Sequence, residues 1–260
     1  MNVTTTGTDI EIRQDGDVTT LVLNRPDVRN ALRSETYDEL EDVLMNLSTR
    51  ALIITGSDPA FCAGDDMRAL TELHATQTRR TRAPRLTGAA DVLLNSGIPI
   101  IAAVNGPAVG WGMELALLAD FRIASDRARF GELFIKRGLI SDVAGLGRLA
   151  QLVGREKATE LLLLGRVIDA HEALRIGLVG RVVDHDQLMS EAMELARELA
   201  AQPPLAVAAI KRGLRLALDP DWSSLGRFVT ETLRGLFATE DHREGVASFV
   251  DKREPKFVGR

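Results

Sequence analysis

The sequence predicts an α/β fold of ββα-like units finished by a group of helices, and three observations carry that expectation. Two strand-like stretches, Ile10 to Gln14 and Val18 to Leu23, flank Asp15-Gly16, a two-residue hairpin signal. Further on, an apolar strand pattern, a glycine-containing loop and apolar residues at helical spacing recur at uneven intervals, which argues against a solenoid of fixed period. From Gln187 onward only helical patterns remain. The expected division is a core over 1–200 and a carboxy-terminal helical region over 201–260.

Taken in order, Asn24-Arg25-Pro26 ends the second strand, and a helix is expected from about Ser34, an N-cap residue, with Tyr37, Leu40, Val43 and Leu44 at helical spacing. Ala51 to Thr55 reads as a buried strand and Gly56 to Asp66 as a loop around Pro59. The segment HATQTRRTRAPRLTG, 74–88, carries Arg79, Arg80, Arg82 and Arg85 without an acid. It reads either as a solvated surface segment or as an anion contact. Helices are expected over 187–201, 205–217, 223–238 and 241–251, broken at Gln202-Pro203-Pro204, Asp219-Pro220 and Thr239-Glu240.

Residues 98–123 hold the densest signal. Ile98 to Val104 is an apolar run opening at Pro99, the first position of a buried strand. Asn105-Gly106-Pro107 turns the chain, and Gly110 and Gly112 lead into Met113, Leu115, Leu117 and Leu118, a buried helix. No Ser, Thr, Asp or Asn stands ready to cap it, so its first N–H groups are left for another acceptor. Glu114 falls in that first turn. A carboxylate there can simply complement the helix dipole. As the lone charge between Ile98 and Leu118, it is also a candidate for chemistry.

Composition narrows the classes. A chain of 260 residues with 45% hydrophobic content can bury a sizeable core, and a formal net charge of −5 gives no bias towards nucleic acid. A single cysteine, Cys62, excludes an internal disulfide framework and reads as a small buried residue in a reducing compartment. The start of the chain shows no signal-peptide pattern and no apolar stretch is long enough for a bilayer, so a cytoplasmic location is expected. His74, His171, His185 and His242 are too scattered for a metal motif and read as surface or loop residues. Gly110-x-Gly112 lacks the third small residue of a dinucleotide fingerprint, since Leu115 stands there, and no phosphate-loop motif occurs.

The run AAVNGPAVGWGMELALLADFRIAS resembles the signature of the enoyl-CoA hydratase/isomerase (crotonase) superfamily. So do LNRPDVRNAL at 23–32, AFCAGDDM at 60–67, FGELFIKRGLISDVAGLGRL at 130–149 and EDHREGVASFVDKREPKF at 240–257, in the same order. The resemblance implies a crotonase-like spiral of ββα units, a carboxy-terminal region that forms trimers or hexamers, and an acyl-CoA substrate with no separate cofactor; the acidic balance, scattered histidines and short apolar stretches add the expectation of no metal, nucleic acid or membrane partner. It implies that the peptide N–H groups of Asp65 and Trp111 stabilise a thioester enolate, and that Glu114 is the principal acid/base. Where hydratases of the family carry a second glutamate, this chain has Phe134. Asp142 resembles the carboxylate of dienoyl-CoA isomerases and is the expected partner of Glu114, although a helix cap fits it equally; Glu132 ranks below it. Arg25, Arg29, Ala31 and Ala63 match the coenzyme A loop, and Lys256 and Phe257 match residues that reach a neighbouring subunit's ligand. The implied activity is hydration of a 2-enoyl-CoA, with enoyl- or dienoyl-CoA isomerisation, or acyl-CoA binding without catalysis, as the alternatives.

Overall fold

The computed structural model describes residues 2–5, 9–67 and 88–260. The arginine-rich stretch between Arg79 and Arg85 lies outside them. In chain order the strands are β1 (Asn2–Thr5), β2 (Ile10–Asp15), β3 (Val18–Leu23), β4 (Ala51–Gly56), β5 (Ile100–Val104), β6 (Pro107–Val109), β7 (Phe121–Ser125), β8 (Arg129–Gly131), β9 (Ile168–Asp169) and β10 (Arg181–Val183). The helices are α1 (Ser34–Asn46), α2 (Gly88–Asn95), α3 (Trp111–Leu118), α4 (Val143–Gly147), α5 (Leu149–Val153), α6 (Arg155–Leu164), α7 (Ala170–Arg175), α8 (Leu188–Ala200), α9 (Pro204–Leu218), α10 (Trp222–Leu236) and α11 (Glu240–Val250).

The described strands form a larger sheet in the order β1-β2-β3-β4-β5-β7-β10 and a smaller one in the order β6-β8-β9. The hairpin forms as expected, one residue late. Asp15 pairs with Val18, and Gly16, at φ +58°, opens the turn, because the first central position of a tight hairpin favours a left-handed residue. From β3 onward the large sheet is parallel. Its strands are covered on both faces, which is why they read as nearly continuous apolar runs. Leu52, Ile54, Ile100, Ala102 and Val104 pack with α1, α2 and α3, while Ala51, Ile53, Ile101 and Ala103 meet Leu188, Ala192, Ala196 and Ala200 of α8.

Two expectations need correction. Ser34 is the first helical residue of α1 and not its cap; Arg33 holds the cap position, and its N–H donates to the Thr36 hydroxyl. His242 is buried, with Nδ1 2.8 Å from the Arg137 carbonyl, because α11 packs against the turn at Gly138. His185 is also largely covered and pairs with Asp58 at 3.1 Å. Cys62 is buried as expected.

The loops that follow the neighbouring strands β4 and β5 interlock. Cys62 bridges to Ala108, and the Val109 N–H donates to the Cys62 carbonyl at 3.1 Å. This contact needs residues without side chains. A methyl group on Gly112 would stand 2.1 Å from the Cys62 carbonyl oxygen, and one on Gly106 would stand 2.4 Å from that of Pro59. Both partners are backbone and cannot swing away. Gly112→Ala is therefore expected to lower stability by about 2–3 kcal/mol, the upper range for overpacking a core, as read by urea unfolding.

Candidate active site

The first turn of α3 starts at Gly110, which has φ +54° and provides no side-chain cap. Gly64, at φ +82°, faces it across the interlocked loops, so close that a methyl group there would lie 3.2 Å from the Trp111 nitrogen. Asp65 follows directly and bridges to Leu32, whose backbone takes up the N–H of Asp66 and donates to the carbonyl of Gly64. Among the described residues, neither the Asp65 nor the Trp111 peptide N–H has a hydrogen-bond acceptor. The two peptide groups expected to hold an oxyanion thus belong to adjoining backbone segments at a helix start.

The Trp111 indole is buried beside this corner and does not read as core packing alone. Its ring stands edge-on to Tyr37 with centroids 4.9 Å apart, and its Nε1 donates to Asp142 Oδ2 at 3.3 Å. The Tyr37 hydroxyl donates to Asp65 Oδ1 at 2.7 Å. Burial pushes the Asp65 carboxyl up to about 6, with the Asp142 charge adding to the rise and the Tyr37 hydrogen bond opposing it.

Glu114 is buried in the first turn of α3, and its Oε2 accepts the Gly145 N–H at 2.9 Å. Glu132, directly after β8, is fully buried, and its Oε2 accepts the Ser141 hydroxyl at 3.0 Å. The remaining oxygens, Glu114 Oε1 and Glu132 Oε1, are buried without a hydrogen-bond partner among the described residues. Both face Gly145: a methyl group there would stand 2.7 Å from the first and 3.1 Å from the second. Burial raises the Glu114 carboxyl well above its ordinary range, and the charges of Glu132 and Asp142 raise it further. Burial likewise pushes Glu132 up to about 8, opposed by Ser141 and assisted by Asp142.

Phe134 lies in a 3-10 turn, Phe134–Arg137, half-buried against the core. Arg25, Arg29, Ala31 and Ala63 come together. The Arg25 guanidinium donates to the Ala31 carbonyl at 2.5 Å and pairs with Asp66 at 3.2 Å, while the Ala63 N–H donates to the Arg29 carbonyl at 3.0 Å. Lys256 and Phe257 are exposed elsewhere on the chain, where Glu244 and Asp241 hold the backbone of that tail. Asn30 escaped the sequence reading. With φ +57°, it turns its side-chain amide onto the carbonyls of Ser57 and Ala60, each at 2.7 Å, and so ties the Arg25–Ala31 loop to the loop after β4. Its only signal was a left-handed-tolerant residue inside a turn. No group of three described His, Cys, Asp or Glu side chains is placed to hold a metal ion, and no described helix is long and apolar enough to cross a membrane.

A spiral of ββα units with unpaired peptide N–H groups beside buried carboxyls defines an enzyme of the crotonase fold, and comparison with known proteins agrees. The chain belongs to the enoyl-CoA hydratase/isomerase family, whose model matches residues 13–260. It is 37% identical over 253 residues to a probable enoyl-CoA hydratase of Rhizobium meliloti, covering 96% of this chain and 97% of that protein. It is 34% identical over 262 residues to the crotonyl-CoA hydratase of Syntrophomonas wolfei, covering 97% and 98%. The crystal structure of an enoyl-CoA hydratase/isomerase from Pseudoalteromonas atlantica matches with a TM-score of 0.88 at 31% identity, over 96% of this chain and 100% of that one.

The raised carboxyls make the fold less stable as pH rises. Glu132 binds its proton more tightly folded than unfolded, so its contribution is intact below the ordinary value of 4.5 and is lost as pH rises through about 8. Glu114 acts in the same direction. Denaturant unfolding is therefore expected to show falling stability from pH 5 to pH 8, with a visibly shallower fall in Glu132→Gln.

Proposed function

We propose that this chain is an acyl-CoA enzyme that stabilises a thioester enolate and adds water across the double bond of a 2-enoyl-CoA. The single observation carrying the reading is the pair of unaccepted peptide N–H groups, Asp65 and Trp111, beside the buried carboxyl of Glu114. Such donors match the charge that grows on a thioester oxygen when the neighbouring carbon is attacked, and one of them is worth roughly 10²–10³ in rate. Backbone supplies them, so a tryptophan at 111 is no obstacle. Coenzyme A enters as part of the substrate, beside the Arg25–Ala31 loop and Ala63, and the reading calls for no separate cofactor.

Glu114 is the principal acid/base. Asp142 stands close enough to raise the Glu114 carboxyl, but its Oδ2 is engaged by the Trp111 indole. We assign it the role of fixing that ring and holding protons on its neighbours. Isomerisation is the second reading, favoured by Phe134 at the place of the family's second glutamate: moving a double bond needs a proton shuttle and no bound water. The reading also includes assembly into trimers or hexamers through the carboxy-terminal helices. Leu205, 86% exposed, and Leu216, 80% exposed, lie on α9 as apolar surface in need of a partner, and the tail bearing Lys256 and Phe257 would reach a neighbouring subunit's ligand.

The wild-type protein is expected to hydrate crotonyl-CoA faster than it isomerises a 3-enoyl-CoA or a dienoyl-CoA when products are followed side by side. Glu114→Gln should lower kcat by about 10²–10⁴-fold, the usual weight of general acid–base help, while acyl-CoA binding stays within a few-fold by calorimetry. Unchanged turnover in that variant ends the assignment.

A further inference from the structure

We infer that Glu132 is a second catalytic acid/base, and that Glu114 and Glu132 work as one pair facing a single reacting water or substrate proton over Gly145. The inference rests on the enoyl-CoA reading above and deepens it.

The geometry is specific. Each carboxyl has one oxygen anchored, Glu114 Oε2 by the Gly145 N–H and Glu132 Oε2 by the Ser141 hydroxyl. Each has one oxygen buried and unpartnered among the described residues, and those two oxygens flank the same glycine. They stand no more than about 6 Å apart, a range over which two carboxylates oppose each other's ionisation. Buried polar atoms seldom lack a partner, so two in one place point to a guest that belongs between them. The absent side chain of Gly145 makes that room: a methyl group would fill it and press on both oxygens.

The surrounding charges set the proton count. Asp142, before α4, faces both glutamates, and Asp65 lies beyond it across the Trp111 and Tyr37 rings. The charges acting most strongly on the pair are thus negative, and the pair retains a proton at neutral pH. Hydration then balances. One carboxylate takes a proton from water as the water oxygen bonds to C3 and the C2–C3 π electrons move towards the thioester oxygen. The other, still protonated, delivers its proton to C2 as the enolate collapses. The pair ends with the one proton it began with, on the opposite residue, and resets by exchange.

Glu132→Gln, nearly isosteric, is expected to lower kcat for crotonyl-CoA by about 10²-fold or more with KM within about 3-fold, and to remove one limb of the kcat–pH profile. The double variant Glu114→Gln/Glu132→Gln should be no slower than the worse single one, as expected for residues acting as a unit. Asp142→Asn should keep both limbs, displaced towards lower pH. A protonated-carboxyl infrared band, present at neutral pH in the wild type, should weaken or shift in either glutamate variant, and this readout needs no turnover. Should Glu132→Gln fail to fold, Glu132→Asp keeps the charge and withdraws the oxygens, and the same fall in kcat is expected. A Glu132 variant that folds, with turnover and pH profile like wild type, overturns the pair; so does a missing infrared band. Wild-type protein that shows the band yet converts none of the three enoyl-CoA classes overturns instead the enzymatic reading on which the pair rests.

Discussion

The site depends on how closely two backbone segments approach each other. The connections leaving β4 and β5 share a direction, since those strands are parallel neighbours, and at their carboxyl ends the chain must turn away twice in the same space. Gly64 and Gly112 let the turns interlock, with Cys62 carbonyl-to-backbone contact on one side and the Trp111 nitrogen on the other. Ligands in open parallel sheets gather at the carboxyl ends of strands because backbone groups are left unpaired there. Here the unpaired groups belong to adjoining segments held by backbone packing that has little room to relax. An oxyanion site made of fixed peptides needs no reorganisation when charge appears, which is the main source of its effect.

The acids around that corner form a second layer of the same design. Asp65, Glu114, Glu132 and Asp142 sit within one neighbourhood, and burial raises three of them: Asp65, Glu114 and Glu132. Glu114 and Glu132, raised furthest, keep a proton between them at pH 7 that can be donated, a property that an exposed glutamate lacks. The arrangement opposes stability, because folding must bury groups that would sooner ionise in water. Its retention at the mouth of the peptide corner makes sense if protonated and ionised carboxyls are both wanted there.

Much of this was legible in the sequence where the cause is local. Glycines at 110 and 112 with no capping residue, one acid in an apolar run, and Pro and Gly punctuation each act within a few residues, and they placed the hairpin, α3 and the final helices to within a residue or two. What escaped was set by contacts distant in sequence. Trp111 and Asp142 meet 31 residues apart, and the Glu114 carboxyl meets Gly145 over the same separation. His242 read as a surface residue because nothing near it announces the Arg137 carbonyl that receives it. Glu132 is marked by its burial and not by its place in a motif, and burial is not written in the local sequence.

The proposed role of a carboxyl at position 132, with Phe134 two residues on, fits the geometry of the chain at that point. β8 ends at Gly131, and Leu133, at φ −90° and ψ 4°, has already left extended backbone, so residues 132 and 134 are not held to one face by strand alternation. The 3-10 turn that starts at Phe134 carries that side chain against the hydrophobic core, and Gly138 closes the turn in a left-handed conformation. Phe134 lies against the core from the turn, whereas the carboxyl at 132 stands just past the strand end, hydrogen-bonded to Ser141 and across Gly145 from Glu114. The proposed second acid at 132 therefore asks for no change in the fold. With a hydrophobic group at 134, the buried carboxyls that the chain brings together over Gly145 are Glu114 and Glu132, and the proposed proton chemistry rests on them.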